Sequence, residues 1–319
     1  MKERTRNIEF ITIPGFDCYC NALCNCNLYF GGNINEVNYS FASGMKSIYY
    51  DKIDKKIFMN THKCITAFVK EMGITYIKDV KYTYDEAREY IINLLDNQKV
   101  VLCGLKSTLV KYRKNFGGSN PVHHFVIILD YDPESRCFYI SDGYVSNEKE
   151  NTFEGWINED ELFVAWEATS FYHTIYGKEN LIVKDVTKQA FNNYVLTIEA
   201  YLSSYQDERG VYGEEAARKF ISELSVDDDI MKIITELKLF GFITSKRYIK
   251  QMLHNLGMLV NENEYGAIID KWDFFCLRLL KVCISNNLSR LEKCKQLAFE
   301  IIEEEHACLS RIKEINRTL

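Results

Sequence analysis

The chain has 319 residues, of which 47% are hydrophobic, 26% charged and 13% aromatic. That composition supports one large or two ordinary globular domains and excludes disorder, collagen and coiled coil. The formal net charge of -6 argues against a nucleic-acid protein and leaves small molecules or proteins as partners.

The elements follow in chain order. A loop carrying Pro14 and Gly15 leads to Asp17, a good N-cap, and the segment CYCNALCNCNLYFGG predicts a helix that stops at Gly31 and Gly32. Ser43, Gly44 and Met45 read as a turn whose glycine permits close backbone approach. HKCITAFVKEMG from His62 and TYDEAREYIINLLDNQ from Thr83 predict a second and a third helix. Strand-like runs then come at VVLCGL from Val100, HFVIIL from His124 and CFYIS from Cys137, the last two separated by DYDPES. Helices followed by an antiparallel sheet define an α+β domain over residues 1–190. Beyond it, EEAARKFISEL from Glu214, DDDIMKIITELKLFG from Asp227 and the stretch 271–315 space their apolar residues by three and four. This predicts an all-helical domain over 191–319. Its stripes, such as Ile230, Ile234 and Leu237, or Trp272, Phe275, Leu279 and Leu280, read as core; a substrate lid or a homodimer contact is a further role for this domain.

Eleven cysteines are too few for a disulfide scaffold and odd in number, which fits a reduced, cytoplasmic compartment. The start, MKERTRNIEF, has no apolar signal core, and no apolar run is long enough to predict a membrane span. Cys18, Cys20, Cys24 and Cys26 lie inside one continuous helix instead of on two separated knuckles, so no metal site is expected, and the extra thiols read as small apolar fillers. Cys18 differs in position: behind the Asp17 cap it occupies the first helical turn, where unpaired N–H groups and the helix dipole favour a thiolate. The plain alternative is one more small buried residue.

An odd-length hairpin loop centred on Pro133 would place His124 opposite Asp142, Val126 opposite Ile140 and Ile128 opposite Phe138. A carboxylate beside an imidazole fixes its tautomer and stabilises its protonated form, the third-member role in a Cys/His/Asp triad. His123 competes as the base but points to the other sheet face. The three prolines of the chain, against roughly 16 at average usage, are Pro14, Pro121 and Pro133, each close to one of these residues.

Asp17, Cys18, Ala22 and Leu23, with Gly31 thirteen residues after the cysteine, then His124, Phe125, Val126 and Asp142, resemble the papain-like fold as used by bacteriocin-leader peptidases. The closer resemblance is to the butirosin biosynthesis protein H family, supported by FASGMKSIYY from Phe41, the helix end at Lys70, Glu71, Met72 and Gly73, and VYGEEAARKFISEL from Val211. It covers most of residues 11–175 and, more loosely, the remainder. The resemblance implies an acyltransferase of specialised-metabolite, antibiotic-like biosynthesis. Such an enzyme takes an acyl or aminoacyl group from the phosphopantetheine thioester of an acyl carrier protein, through an acyl-cysteine, to a small-molecule amine. It needs no metal or diffusible cofactor. Carried over by position, Cys18 is the nucleophile, His124 the general acid/base and Asp142 the orienting carboxylate. Two positions depart from the pattern: Thr12 stands where the peptidases carry an oxyanion-donating glutamine, leaving the backbone N–H of Cys18 as donor, and Asp17 stands where the butirosin family usually has His. Lys106, Lys111, Arg113 and Lys114 are candidates for docking an acidic carrier, or form an ordinary solvated loop. Ser43, Gly44 and Met45 are candidates for lining the substrate site. The rival readings are a cysteine peptidase or amide hydrolase with the same three residues, and a catalytically silent papain-like binding protein.

Overall fold

The computed structural model describes residues 10–44, 48–59, 69–70, 73–74, 76–112, 123–143, 152–182, 185–239 and 241–317. The first part of the chain contains α1 (Cys18–Tyr29), α2 (Glu36–Ala42), β1 (Ile48–Asp51), β2 (Lys56–Met59), β3 (Tyr76–Ile77), α3 (Tyr84–Asp96) and β4 (Val100–Lys106). Next come β5 (His123–Asp132), β6 (Cys137–Asp142), β7 (Phe153–Asn158), α4 (Glu159–Glu167) and β8 (His173–Tyr176). The remainder is helical, α5 (Thr187–Ser203), α6 (Glu214–Glu223), α7 (Ile230–Leu239), α8 (Phe242–Asn255), α9 (Leu259–Ser285) and α10 (Leu288–Asn316), apart from one hairpin of β9 (Tyr205–Gln206) and β10 (Gly210–Tyr212).

Two units emerge, Met1–Tyr39 with Val69–Asp185, and Ser40–Phe68 with Val186–Leu319. The cut at 185/186 falls where the apolar spacing changes. The cuts at 39/40 and 68/69 have no compositional mark: β1 joins the later unit because Tyr49 pairs with Tyr212 on β10, a partner far along the chain. The helix expected from His62 lies largely outside the described residues; Val69 and Lys70 are helical, and Gly73 closes that turn at φ +72.

The first unit is built on an antiparallel sheet in the order β3-β8-β4-β5-β6-β7. Its central strands read as nearly unbroken apolar runs because both faces are covered. One face carries Val101, Cys103, Leu105, Val126, Ile128 and Ile140 against Ala87, Ile91 and Leu95 of α3 and Leu162, Phe163 and Trp166 of α4. The other receives α1, with the Tyr19 ring 4.6 Å from Phe125 and the Asn27 amide donating to the Tyr176 hydroxyl at 3.0 Å. The α3 helix starts with a full capping box between Thr83 and Glu86. At the start of α4, the buried Glu159 carboxylate takes hydrogen bonds from Arg88, Arg136 and the Tyr131 hydroxyl. Burial opposes its ionisation, but these donors outweigh that and hold the carboxyl below its ordinary range.

The β5–β6 register corrects the expected one. Ile127 pairs with Ser141 and Ile128 with Ile140, two residues away from the expected Ile128–Phe138 match; after a bulge, Tyr131 pairs with Phe138 and Asp132 with Cys137. The loop is therefore the even-length Pro133–Arg136. Asp132 sets it, accepting from the backbone N–H of Glu134 and Ser135, while Arg136 closes the turn in the left-handed region at φ +52. The bulge absorbs one residue, so Val126 and Ile128 before it and Tyr131 after it all reach the same core as Ile140 and Phe138.

In the second unit the sheet order is β2-β1-β10-β9. Tyr50, Ile57 and Val211 are buried on one face, with Phe220 of α6 packed 6.2 Å from the Tyr50 ring. The helices meet around a buried ion pair, Lys246 of α8 with Glu305 of α10, at 2.7 Å.

Burial raises many phenols above the ordinary value near 10. Tyr90 and Tyr172 are pushed up to about 12 by burial. Tyr201 and Tyr265 are also raised well above their ordinary value, burial acting first and the Glu305 carboxylate adding to it. A raised folded pKa means that the unfolded chain loses these protons first, so stability is present below pH 10 and lost as pH rises above it. Urea midpoints at pH 8.5 and 11 test this: a clear drop at pH 11 is expected, and equal midpoints would refute it.

Candidate active site

Local chemistry sets Cys18 at the head of α1. Asp17 is extended (φ -137, ψ 125), and its carboxylate accepts from the N–H groups of Tyr19 at 3.0 Å and Cys20 at 2.8 Å. Behind it, Glu36 of α2 accepts from Phe16 at 3.0 Å and Asp17 at 2.9 Å. The helix dipole favours an anion at this turn, while the two carboxylates oppose one. A thiolate here therefore needs a cation beside it.

Cys18 is half-buried, whereas Cys20, Cys24 and Cys26 are buried. Burial pushes the Cys24 and Cys26 thiols well up, which keeps them inert. Among the described residues no group of three His, Cys, Asp or Glu side chains is arranged to hold a metal ion.

His124 and Asp142 come together. The ring Nε2 donates to Asp142 Oδ2 at 2.8 Å, with His124 2% and Asp142 1% exposed. In the observed register they are diagonal neighbours across the ladder, not a directly opposed pair. The same Oδ2 accepts the Tyr112 hydroxyl at 2.9 Å, and the Tyr112 ring stacks on Phe153, which pairs with Asp142 on β7, with centroids 4.2 Å apart. Asp142 thus holds the imidazole through Nε2 and is itself held and covered by two aromatic residues. Neither Tyr112 nor Phe153 was legible: Tyr112 sits in a segment that reads as a basic loop, and Phe153 outside every recognised strand.

The dyad belongs to the sheet face of Leu105, its partner on β4, while α1 packs on the face of Phe125. The head of α1 is nevertheless anchored at the end of β6. Gly15 N–H donates to Gly143 O at 2.9 Å, and Thr12 Oγ1 lies 2.7 Å from Ser141 Oγ. Both glycines are required by close approach: a Cβ on Gly143 would stand 2.0 Å from Asn21 Oδ1, and one on Gly15 2.0 Å from Glu36 Oε2. The segment leading into Cys18 is therefore bonded to the residue that follows Asp142.

Thr12 is also bonded to Glu154 through its backbone N–H at 2.8 Å, so its side chain serves the β6–β7 edge. His123 is exposed at the start of β5, its ring 6.1 Å from Tyr172, on the face opposite His124. Lys106 ends β4, and Lys111 follows the Ser107–Leu109 turn with its N–H donating to Glu161; Arg113 and Lys114 lie outside the described residues. Pro14 and Pro133 are described, and Pro121 is not. Ser43 and Gly44 belong to the second unit, where Ser43 donates to Ser40 O at 2.6 Å, and Met45 lies outside the described residues. No helix among the described residues is long and apolar enough to cross a membrane. No protein-family model and no curated protein matches the chain.

Proposed function

We propose that the first unit is a papain-like cysteine acyltransferase, with Cys18 as nucleophile, His124 as general acid/base and Asp142 as its orienting carboxylate. The observation that carries this reading is the buried hydrogen bond from His124 Nε2 to Asp142, on a strand end bonded to the segment that delivers Cys18. With Nε2 engaged, proton exchange falls to Nδ1.

The Cys18 thiolate attacks the carbonyl of a carrier-bound thioester, the carrier thiol leaves with the proton of the His124 imidazolium, and Cys18 is acylated. An amine then attacks the acyl-cysteine. His124 takes the amine proton, the amide leaves, and the thiolate–imidazolium pair is restored. The imidazolium also supplies the cation that the acidic surroundings of the α1 head require. Lys106 and Lys111 are the described cations proposed to meet an acidic carrier.

Mass spectrometry after brief iodoacetamide treatment at pH 6 tests the nucleophile, with the exposed Cys283 as internal reference. Cys18 is expected to react first and to lose that lead in His124→Ala; a lead for Cys283 in the parent protein would end the reading. Incubation with an acyl carrier thioester then separates the chemistries: an adduct on Cys18 discharged only by amine supports transfer, and discharge by water alone supports hydrolysis.

A further inference from the structure

The helical unit carries a feature that the thiol chemistry does not use, and it stands independently of that reading. α9 and α10 are joined by only Asn286 and Asn287, with Asn286 left-handed at φ +42, so they run back along each other. A groove of about 550 Å³ opens along this hairpin. Four cations line it, Arg278 and Lys281 from α9 and Arg290 and Lys293 from α10, over a floor of Phe274, Cys294 and Leu297.

Elsewhere on these helices cations are neutralised: Lys271 by Glu304, Lys295 by Glu292 and Arg311 by Glu264. The carboxylates nearest in sequence also turn away, Asp273 to Lys238 and Arg247, and Glu292 to Lys295. Among the described residues none of the four groove cations forms an ion pair with a carboxylate. In a chain of net charge -6, four cations lining one groove, none ion-paired among the described residues, form a local field opposite to the average one.

The floor adds a second element. Phe274 is 44% exposed, and the Arg278 guanidinium lies 4.8 Å from its ring centroid, forming a flat platform at one part of the groove. A single anion would need the cations alone. Cations, a flat aromatic platform and a volume typical of small-ligand sites together match a ligand with several phosphates and a planar ring. We propose that this groove binds a nucleoside polyphosphate, its phosphates between Lys281, Arg290 and Lys293 and its base on the Phe274–Arg278 platform.

Calorimetric titration of the full chain with ATP, and with inorganic triphosphate beside it, tests the proposal. Saturable ATP binding with a Kd on the order of 10–100 µM is expected, weakening as salt is added. Arg290→Gln with Lys293→Gln is expected to weaken it by at least about tenfold, and Phe274→Ala by about five- to tenfold. These positions are exposed, and unchanged circular dichroism confirms that the variants fold. Absence of saturable ATP binding up to about 1 mM, or an affinity unchanged in the double variant, overturns the proposal. Triphosphate binding as tightly as ATP overturns the role of the platform.

Discussion

Glu305→Ala is expected to destabilise the helical unit by about 3–5 kcal/mol, read as a lower urea midpoint. Glu305 of α10 is fully buried and is the shared acceptor of donors from three other helices, α5, α8 and α9: Lys246 Nζ reaches its two oxygens at 2.7 and 2.8 Å, the Tyr265 hydroxyl lies at 2.7 Å, Tyr201 at 3.1 Å and the Trp272 indole at 3.2 Å. The ammonium also faces the Phe242 ring at 4.3 Å. Removing the carboxylate strands a buried cation and three neutral donors at once. Burial already pushes the Lys246 amine down, with Glu305 opposing that fall; without Glu305 the amine would shed its proton instead of remaining charged, which limits the loss. Two further variants separate charge from hydrogen bonding. Glu305→Gln keeps an acceptor and is expected to lose less than alanine. Lys246→Met combined with Glu305→Leu removes both charges, and is expected to recover part of the loss but not all, because Tyr201, Tyr265 and Trp272 stay without an acceptor. A cost below about 1 kcal/mol for Glu305→Ala would place the pair among weak surface contacts and refute this account.

That ion pair also marks the limit of what the sequence discloses. Lys246 and Glu305 stand on amphipathic helices, where a charge ordinarily signals the solvated side, and only the convergence of α5, α8, α9 and α10 turns them inward. Trp272 and Phe275 were legible as core because their own chemistry demands burial. The same division runs through the first unit. The Asp17 cap, the Thr83–Glu86 box and the three apolar strands rest on local chemistry within a few residues, and each is where its sequence signals put it. The register of β5 and β6 depends on two features that no apolar pattern records, the loop conformation fixed by Asp132 and Arg136, and the bulge that offsets it. His124 and Asp142 still share a face because the true register differs from the expected one by an even number of residues. The pairing of β1 with β10 was illegible for a similar reason, since the partner of Tyr49 lies beyond the whole first unit. Tyr112 becomes meaningful only once Asp142 and Phe153 are placed beside it.

Asp142→Ala is expected to slow acylation and alkylation of Cys18 by roughly 10²–10⁴-fold. The carboxylate performs two separable tasks, orienting the ring through Nε2 and stabilising the imidazolium by its charge. Asp142→Asn divides them. Its amide oxygen can still accept from Nε2, so orientation survives while the charge is lost, and its rate is expected between those of the parent and the alanine variant. The pH profile carries a signature that a structural defect would not produce. A thiolate–imidazolium pair exists between the pH at which the thiol ionises and the pH at which the imidazolium loses its proton. Without the carboxylate the imidazolium is less stable, so the upper limb of the profile is expected to move to lower pH. Tyr112→Phe supplies the control for packing, because it removes one hydrogen bond to Oδ2 but leaves the ring stacked on Phe153 and the His124 bond in place. Its rate is expected to fall by no more than about tenfold. If the alanine and asparagine variants of Asp142 react as fast as the parent across pH 5–9, His124 and Asp142 are a buried structural pair, and Cys18 owes any reactivity to its place at the head of α1 alone.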